Sequence, residues 1–257
     1  MQYGFLDFTI IAPALLAGLL VLATHVPLGS VVLQRGIIFI DLAIAQIASV
    51  GVIVAHSLFD EPENYLIQIT ATVSAILGAI LLRWTEHHWP DIQEAIIGVM
   101  FIASASIGIL LLANNPHGSE HLKDLLAGQI LWVNTTQLVY TLLLYSVVLL
   151  IWFASKKSRS GLMFYLLFAI TITASVQLVG IYLVFASLII PALAAYRLQP
   201  GKQKLLLAYV CGVCGYISGL VISTLADLPS SPTIVLSLTG CAIVFWWIVN
   251  NSKRLSP

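Results

Sequence analysis

The chain has 257 residues, of which 60% are hydrophobic and only 9% are charged, and its formal net charge is zero. Soluble domains carry about 25% charged residues, so this composition excludes a soluble globular protein. The lack of a basic excess also excludes a nucleic-acid partner. The composition predicts an all-α polytopic membrane protein.

Nine apolar segments are predicted to be helices in the membrane. In chain order they cover residues 9–28, 37–58, 65–84, 92–112, 136–153, 162–176, 179–196, 203–226 and 231–250. A span needs about 20 apolar residues, so eight spans are the alternative if one of the shorter segments does not cross. No connecting stretch is long enough for a soluble domain. Residues 1–257 are therefore predicted to form a single transmembrane domain.

The longest uncharged run of the chain lies between Gly161 and Arg197. One helix across a bilayer needs about 20 residues, so this run is too long for a single span. We expect a hairpin of two legs that turns near residues 175–180. The second leg ends in Pro191, several small residues and an arginine, which favours a docking surface over a plain anchor.

The charged residues between the segments separate onto two sides when the hairpin counts as two crossings. Almost all cations then share one side, namely Arg35, Arg83, Lys156, Lys157, Arg159, Arg197, Lys202, Lys204, Lys253 and Arg254. The other side carries Lys123 among acidic residues. Because positive loops stay in the cytoplasm, the N-terminus is predicted to be outside and the C-terminus cytoplasmic.

Polar side chains inside apolar segments are costly in a bilayer and are therefore functional candidates. Asp41 and Gln46 lie in the second segment, Glu94 lies near the start of the fourth, and His25 lies near the end of the first. Each of the first three also has an ordinary interpretation. Asp41 could pair with Arg35, Gln46 could hydrogen-bond to a neighbouring helix, and Glu94 could favour the N-terminal end of its own helix.

The loop before the fifth segment contains a candidate metal-entry site. His117, Glu120 and His121 are spaced i, i+3 and i+4, and imidazole with carboxylate suits zinc, manganese or a similar divalent ion. The alternative is a solvated loop in which Glu120 favours a helix N-terminus.

The pair Cys211-x-x-Cys214 lies in a stretch of small residues that includes Gly215 and Gly219. Small residues four apart allow two membrane helices to approach closely. The stretch is therefore predicted to pack against another helix rather than to bind a metal.

Five stretches resemble, in the same order, motifs of the integral-membrane permeases of ABC transporters that import zinc and manganese. They are GSVVLQRGIIFIDLAIAQIASVG (29–51), QEAIIGVMF (93–101), LLAGQILWV (125–133), VQLVGIYLVFASLIIPALAAYRL (176–198) and DLPSSPTIVL (227–236). The fourth stretch is the most specific, because family members carry Val-x-x-Val-Gly followed by Leu-Leu-Ile-x-Pro-Ala-Ala-x-Ala there.

The resemblance implies an ABC importer permease fold in a bacterial inner membrane. It implies a homodimer, two cytoplasmic ATPase subunits, an extracytoplasmic metal-binding protein and a divalent metal as cargo. No phosphate-binding G-x-x-x-x-G-K-[ST] motif occurs in the chain, so ATP would bind to the partner, and this chain is expected to hold no cofactor and to be no enzyme. Pro191, Ala194 and Arg197 would couple it to the ATPase.

The second segment departs from the family pattern, which places an Asp and, four residues later, a His as metal ligands. Aligned without gaps from Gly29 to Gly51, the His position falls on Gln46 and the Asp position on Leu42. Asp41 lies one residue before this Asp position, which corresponds to a rotation of about 100° around a helix. The usual intramembrane site is therefore expected to be absent or altered, although the Glu94 position is kept.

Two other classes of function remain open at this stage. An ion-driven carrier usually shows two similar halves with broken helices, and no convincing repeat is present. An intramembrane metalloenzyme would use His87, His88, His117 and His121, which the charge pattern places on opposite sides of the membrane.

Overall fold

The computed structural model describes residues 8–59, 62–112, 126, 128, 130–155, 160–199 and 201–252. All regular structure in these ranges is helical. The α-helices are α1 (Phe8–Arg35), α2 (Ile40–Leu58), α3 (Asn64–His88), α4 (Gln93–Leu112), α5 (Thr135–Ala154), α6 (Gly161–Val179), α7 (Ile181–Ala194), α8 (Lys202–Ala226) and α9 (Ser230–Ser252), with short 3-10 turns at Pro90–Ile92 and Ile130–Trp132. The predicted all-α fold is confirmed.

Helix α7 differs from the others in length. Among the described residues, eight helices are long and apolar enough to cross a membrane, whereas α7 has only 14 residues. It measures about 21 Å at 1.5 Å per residue, which is less than the roughly 30 Å of a bilayer core. The number of helices long enough to span the membrane thus agrees with the eight-span alternative. The ninth helix, α7, is the second leg of the predicted hairpin and is too short to span. Gly180, with φ of 82°, separates α6 from α7 within the turn predicted near residues 175–180.

Helix α1 continues to Arg35, seven residues beyond the predicted end of its segment, although Pro27 lies inside it. A proline has no N–H and leaves the carbonyl four residues earlier without its helical partner. Here that carbonyl belongs to Ala23, and it accepts a hydrogen bond of 2.9 Å from the Tyr209 hydroxyl. A neighbouring helix thus satisfies the freed group, as membrane helices require.

Internal contacts divide the chain into two compact units. Unit 1 contains residues 1–34, 127–144 and 178–257, and unit 2 contains residues 35–126 and 145–177. That both belong to a single transmembrane domain stays a prediction.

In unit 1, α7, α8 and α9 pack closely together. Side-chain atoms added at Gly215 and Gly219 of α8 would overlap Leu238 and Ile234 of α9. The small residues around the cysteine pair therefore serve close helix packing, as predicted. A hydrogen bond of 2.7 Å also joins the hydroxyls of Ser187 on α7 and Tyr216 on α8.

In unit 2, α2 is the central helix and packs against both α3 and α4. Gly51 allows the close approach to α3, because a Cβ there would lie 2.6 Å from the Thr70 carbonyl oxygen. At the end of α3, Glu86 accepts a hydrogen bond of 2.6 Å from Arg83 and lies 3.8 Å from Arg35. These contacts fix the chain where α1 turns into α2.

Candidate functional site

Asp41 lies in the first turn of α2 and is only 1% exposed. Within the described part of the chain, no side chain donates a hydrogen bond to either of its carboxylate oxygens, and the nearby donors are the backbone N–H groups of Asp41 and Leu42 in its own turn. A buried carboxylate without a cationic partner is unfavourable. A group kept under these conditions is a strong candidate for binding a cation.

Glu94 lies in the first turn of α4, but its carboxylate also reaches the start of α2. The backbone N–H of Phe39, the residue that precedes α2, donates a hydrogen bond of 3.3 Å to its Oε1 atom. The other oxygen, Oε2, is buried and has no partner among the described residues. Glu94 thus lies at the N-terminal ends of two helices, where the helix dipoles favour a negative charge.

Asp41 and Glu94 lie in the first turns of two helices that pack on each other, and Asp41 is within electrostatic range of Glu94. Nearby acidic groups disfavour each other's charge, and a bound divalent cation would offset both this repulsion and the cost of burying Asp41. Three of their four oxygens are free to bind it. Carboxylate oxygens suit magnesium, manganese and zinc, so the pair can supply part of a cation site.

Gln46 is also buried, with 6% of its surface exposed. It lies five residues after Asp41, about 140° around the helix, so the structure does not place the two side chains on one face of α2. The suggested pairing of Asp41 with Arg35 is wrong, because both Asp41 oxygens lack a partner, while Arg35 lies beside Glu86 and 4.3 Å from the centre of the Phe164 ring.

The predicted coupling segment forms the end of α7 and the turn that follows. Pro191 and Ala194 are buried, whereas Arg197 is exposed, with its guanidinium 5.2 Å from the centre of the Trp246 ring. Leu193 and Tyr196 are more than half exposed, at 52% and 57%. The surface available to a partner therefore consists of Leu193, Tyr196 and Arg197, and Ala194 supports it from inside.

The chain matches the ABC 3 transport family over residues 7–162 and 156–249, which is nearly its full length. The chain belongs to the ABC 3 transport family.

Two curated relatives of this ABC 3 chain are transport proteins. It is 25% identical to the high-affinity zinc uptake system membrane protein ZnuB of Haemophilus influenzae, over 96% of this chain and 98% of the relative. It is 27% identical to the manganese transport system membrane protein MntC of Halalkalibacterium halodurans, over 94% of this chain and 88% of the relative. Membership of the ABC 3 transport family makes the chain a transport protein.

A solved structure shows the same fold. PsaBC from Streptococcus pneumoniae, in complex with a Fab, matches with a TM-score of 0.74 and 23% identity, over 93% of this chain and 92% of that one. The ABC importer permease fold implied by the sequence motifs is confirmed.

The remaining histidines of the ABC 3 chain add no metal centre in the described ranges. His117, Glu120 and His121 lie outside these ranges, so the metal-entry site stays a prediction. His87 and His88 belong to the last turn of α3, with ring centres 5.4 Å apart. The part of the chain that the structure describes contains no group of three or more His, Cys, Asp or Glu side chains that could hold a metal.

Some properties of this site could not be read from the sequence. The Phe39 N–H is a backbone group, and its contact with Glu94 joins residues 55 positions apart. Nothing in the sequence indicates that Leu193 and Tyr196 are exposed, because they lie in a segment that is apolar throughout. His25 could be recognised as out of place, but only the structure shows that it is completely buried.

Proposed function

We propose that the chain is the membrane-spanning permease subunit of an ATP-driven importer whose cargo is a divalent metal ion such as zinc or manganese. The observation that carries this proposal is the two carboxyl groups in the first turns of α2 and α4. Asp41 is buried and Glu94 is half-buried, and three of their four oxygens receive no hydrogen bond from another side chain among the described residues. Two of its relatives, a zinc uptake system membrane protein and a manganese transport system membrane protein, support the same class of cargo.

In this proposal, Asp41 and Glu94 bind the cargo on its way through the membrane. The Phe39 N–H holds one oxygen of Glu94, and the other oxygen is available to the cargo. Gln46 replaces the family's histidine ligand, and an amide oxygen is a weaker ligand than imidazole for zinc. This substitution favours a cargo that accepts oxygen ligands, such as manganese.

The proposed partners are two cytoplasmic ATPase subunits, an extracytoplasmic metal-binding protein and a second copy of this chain. ATP binding would bring the ATPase subunits together, and the exposed end of α7 would transmit the movement into the membrane. This arrangement requires the N-terminus outside and the C-terminus in the cytoplasm of a bacterial inner membrane, as the charge pattern predicts.

The proposal is tested by transport into vesicles that contain the chain, its ATPase and its binding protein. We expect uptake of ⁵⁴Mn²⁺ or ⁶⁵Zn²⁺ only when ATP is hydrolysed, and no uptake with a hydrolysis-deficient ATPase. Uptake driven by an ion gradient without the ATPase would instead establish the alternative, a secondary carrier.

If the ATPase docks at the end of α7, reversing the charge of Arg197 should weaken its binding to the permease. Arg197→Glu is expected to lower recovery of the ATPase with the permease by about 10-fold or more, because like charges at an interface cost several kcal/mol and each 1.4 kcal/mol is about tenfold. The measurement is co-purification of the two subunits, together with metal uptake.

The matched control is Asp91→Lys, a charge reversal at an exposed residue of the 3-10 turn before α4, on the same predicted side. It should leave recovery of the ATPase unchanged. Normal recovery with Arg197→Glu would show that the segment does not dock. Bulky changes at Ala194 are unsuitable for this purpose, since that side chain is buried and they would disturb packing.

A further inference from the structure

His25 is the one histidine of the described residues that is completely buried, at 0% exposure, and it lies within the apolar span of α1. Its Nδ1 atom lies 2.9 Å from the carbonyl oxygen of Val21 and 3.1 Å from the hydroxyl of Thr24, and this hydroxyl itself donates to the same carbonyl. Because both neighbours therefore act as acceptors toward the ring, Nδ1 carries the proton and donates it. The ring is therefore fixed in one tautomer, with an unprotonated lone pair at Nε2.

The Nε2 atom is buried and has no hydrogen-bond partner in the described part of the chain. Most buried polar side-chain atoms in proteins are hydrogen-bonded, so an exception requires an explanation. The apolar surroundings offer no compensation for the lost hydration of this lone pair.

Within unit 1, His25 lies on a closely packed face of α1. His25 lies three residues after Leu22, which contacts Gly212 of α8, and four residues before Gly29, which packs against Leu188 of α7. Residues at these spacings share one face of a helix, so the imidazole lies on the face that packs against α7 and α8.

The polar groups identified on that side are already engaged. The hydroxyls of Tyr216 and Ser187 bond to each other, and the hydroxyl of Tyr209 donates to the carbonyl of Ala23. None of these contacts involves Nε2.

We propose that Nε2 of His25 is a ligand for the transported transition-metal ion during its passage, a step separate from the Asp41–Glu94 pair. This inference rests on the proposed function. An imidazole whose other nitrogen donates to a backbone carbonyl has the arrangement of metal-binding histidines, because that bond fixes the tautomer and orients the free lone pair.

The need to fill space in the packed interior does not explain why position 25 is a histidine. An apolar side chain at position 25 would fill the same space without a buried, unpaired nitrogen. A purely structural role would reside in the Nδ1 hydrogen bond to Val21, and this bond can be separated experimentally from Nε2.

Two substitutions make that separation. His25→Asn places an amide N–H close to the position of Nδ1 and removes Nε2, so the bond to Val21 can persist. His25→Gln places its amide group close to the position of Nε2 and loses the Nδ1 donor. A ligand role predicts a defect in the Asn variant, whereas a structural role predicts a defect in the Gln variant only.

The readout is pulsed EPR of Mn²⁺ added alone to the purified permease–ATPase complex, which detects ¹⁴N nuclei bound to the metal. We expect an imidazole nitrogen coupling in the wild type that disappears in His25→Asn, with Mn²⁺ affinity lower by about 10-fold or more. The thermal midpoint of unfolding should stay within error of the wild type.

The possible failures are distinguishable. A coupling and an affinity that persist in His25→Asn overturn the assignment of His25 and leave the proposed function intact. An Asn variant that binds normally beside a Gln variant that unfolds early establishes a structural role instead. A wild-type complex that neither binds nor transports Mn²⁺ or Zn²⁺ contradicts the proposed function itself.

Discussion

Gly29→Ala is expected to prevent unit 1 from packing and to destabilise the protein by about 3 kcal/mol or more. A Cβ at this position would fall on the carbonyl oxygen of Leu188 and lie 2.9 Å from its carbonyl carbon. These are backbone atoms of α7, so no side chain can rotate away, and α1 and α7 must separate instead. The measurement is the free energy of unfolding in detergent, together with the yield of folded protein.

The control is Gly240→Ala on α9, where an added Cβ has no atom within 4 Å. Alanine is favoured over glycine inside a helix by about 0.5–1 kcal/mol, so this variant should be at least as stable as the wild type. Equal stability of Gly29→Ala and the wild type would show that α1 and α7 do not pack as described.

Asp41→Asn is expected to reduce metal uptake by about 10–100-fold and, at the same time, to raise the free energy of unfolding by about 1–2 kcal/mol. The amide has the same shape as the carboxyl group, but it carries no charge to bury and none to oppose that of Glu94. If the carboxylate is kept for its cargo, removing it improves stability and damages function. Uptake rates and thermal unfolding of the same preparation test both effects.

Asp227→Asn provides the matched control, since it makes the same chemical change at an exposed residue. Asp227 has a left-handed conformation at the end of α8, with φ of 52°, which asparagine also tolerates. We expect unchanged uptake and stability. Undiminished uptake in Asp41→Asn would remove this residue from the translocation path.

The helices were largely predictable because hydropathy in a membrane protein reports directly on secondary structure. Each predicted apolar segment corresponds to one helix in the described ranges, and the interruption at Gly180 was located correctly. The errors lie at the ends of helices. Helix α1 continues past Pro27 because Tyr209, far away in sequence, satisfies the freed carbonyl. Helix α3 continues to His88, which its polar residues did not indicate.

The candidate site was predictable as a set of residue types but not as an arrangement. Asp41, Glu94 and His25 could be recognised because polar groups are rare in apolar segments. Which of these side chains lie close together in space depends on contacts between residues that are far apart in the sequence. The hydrogen bond from the Phe39 N–H to Glu94 is an example. Side-chain direction at the end of α7 could not be predicted either, because Leu193 and Ala194 are both apolar although only Leu193 is exposed.

The shortness of α7 has a consequence for the biogenesis of the protein. A helix of 14 residues cannot enter a bilayer stably by itself, because its ends would leave backbone groups unsatisfied in the hydrocarbon. Most of its side chains are buried, and it packs against α8 and α9, which leave the ribosome after it. During synthesis, the contacts that bury α7 can therefore form only after these later helices have been made. Helix α7, which is proposed to receive the movement of the ATPase, is thus among the last parts of the protein to reach its final packing.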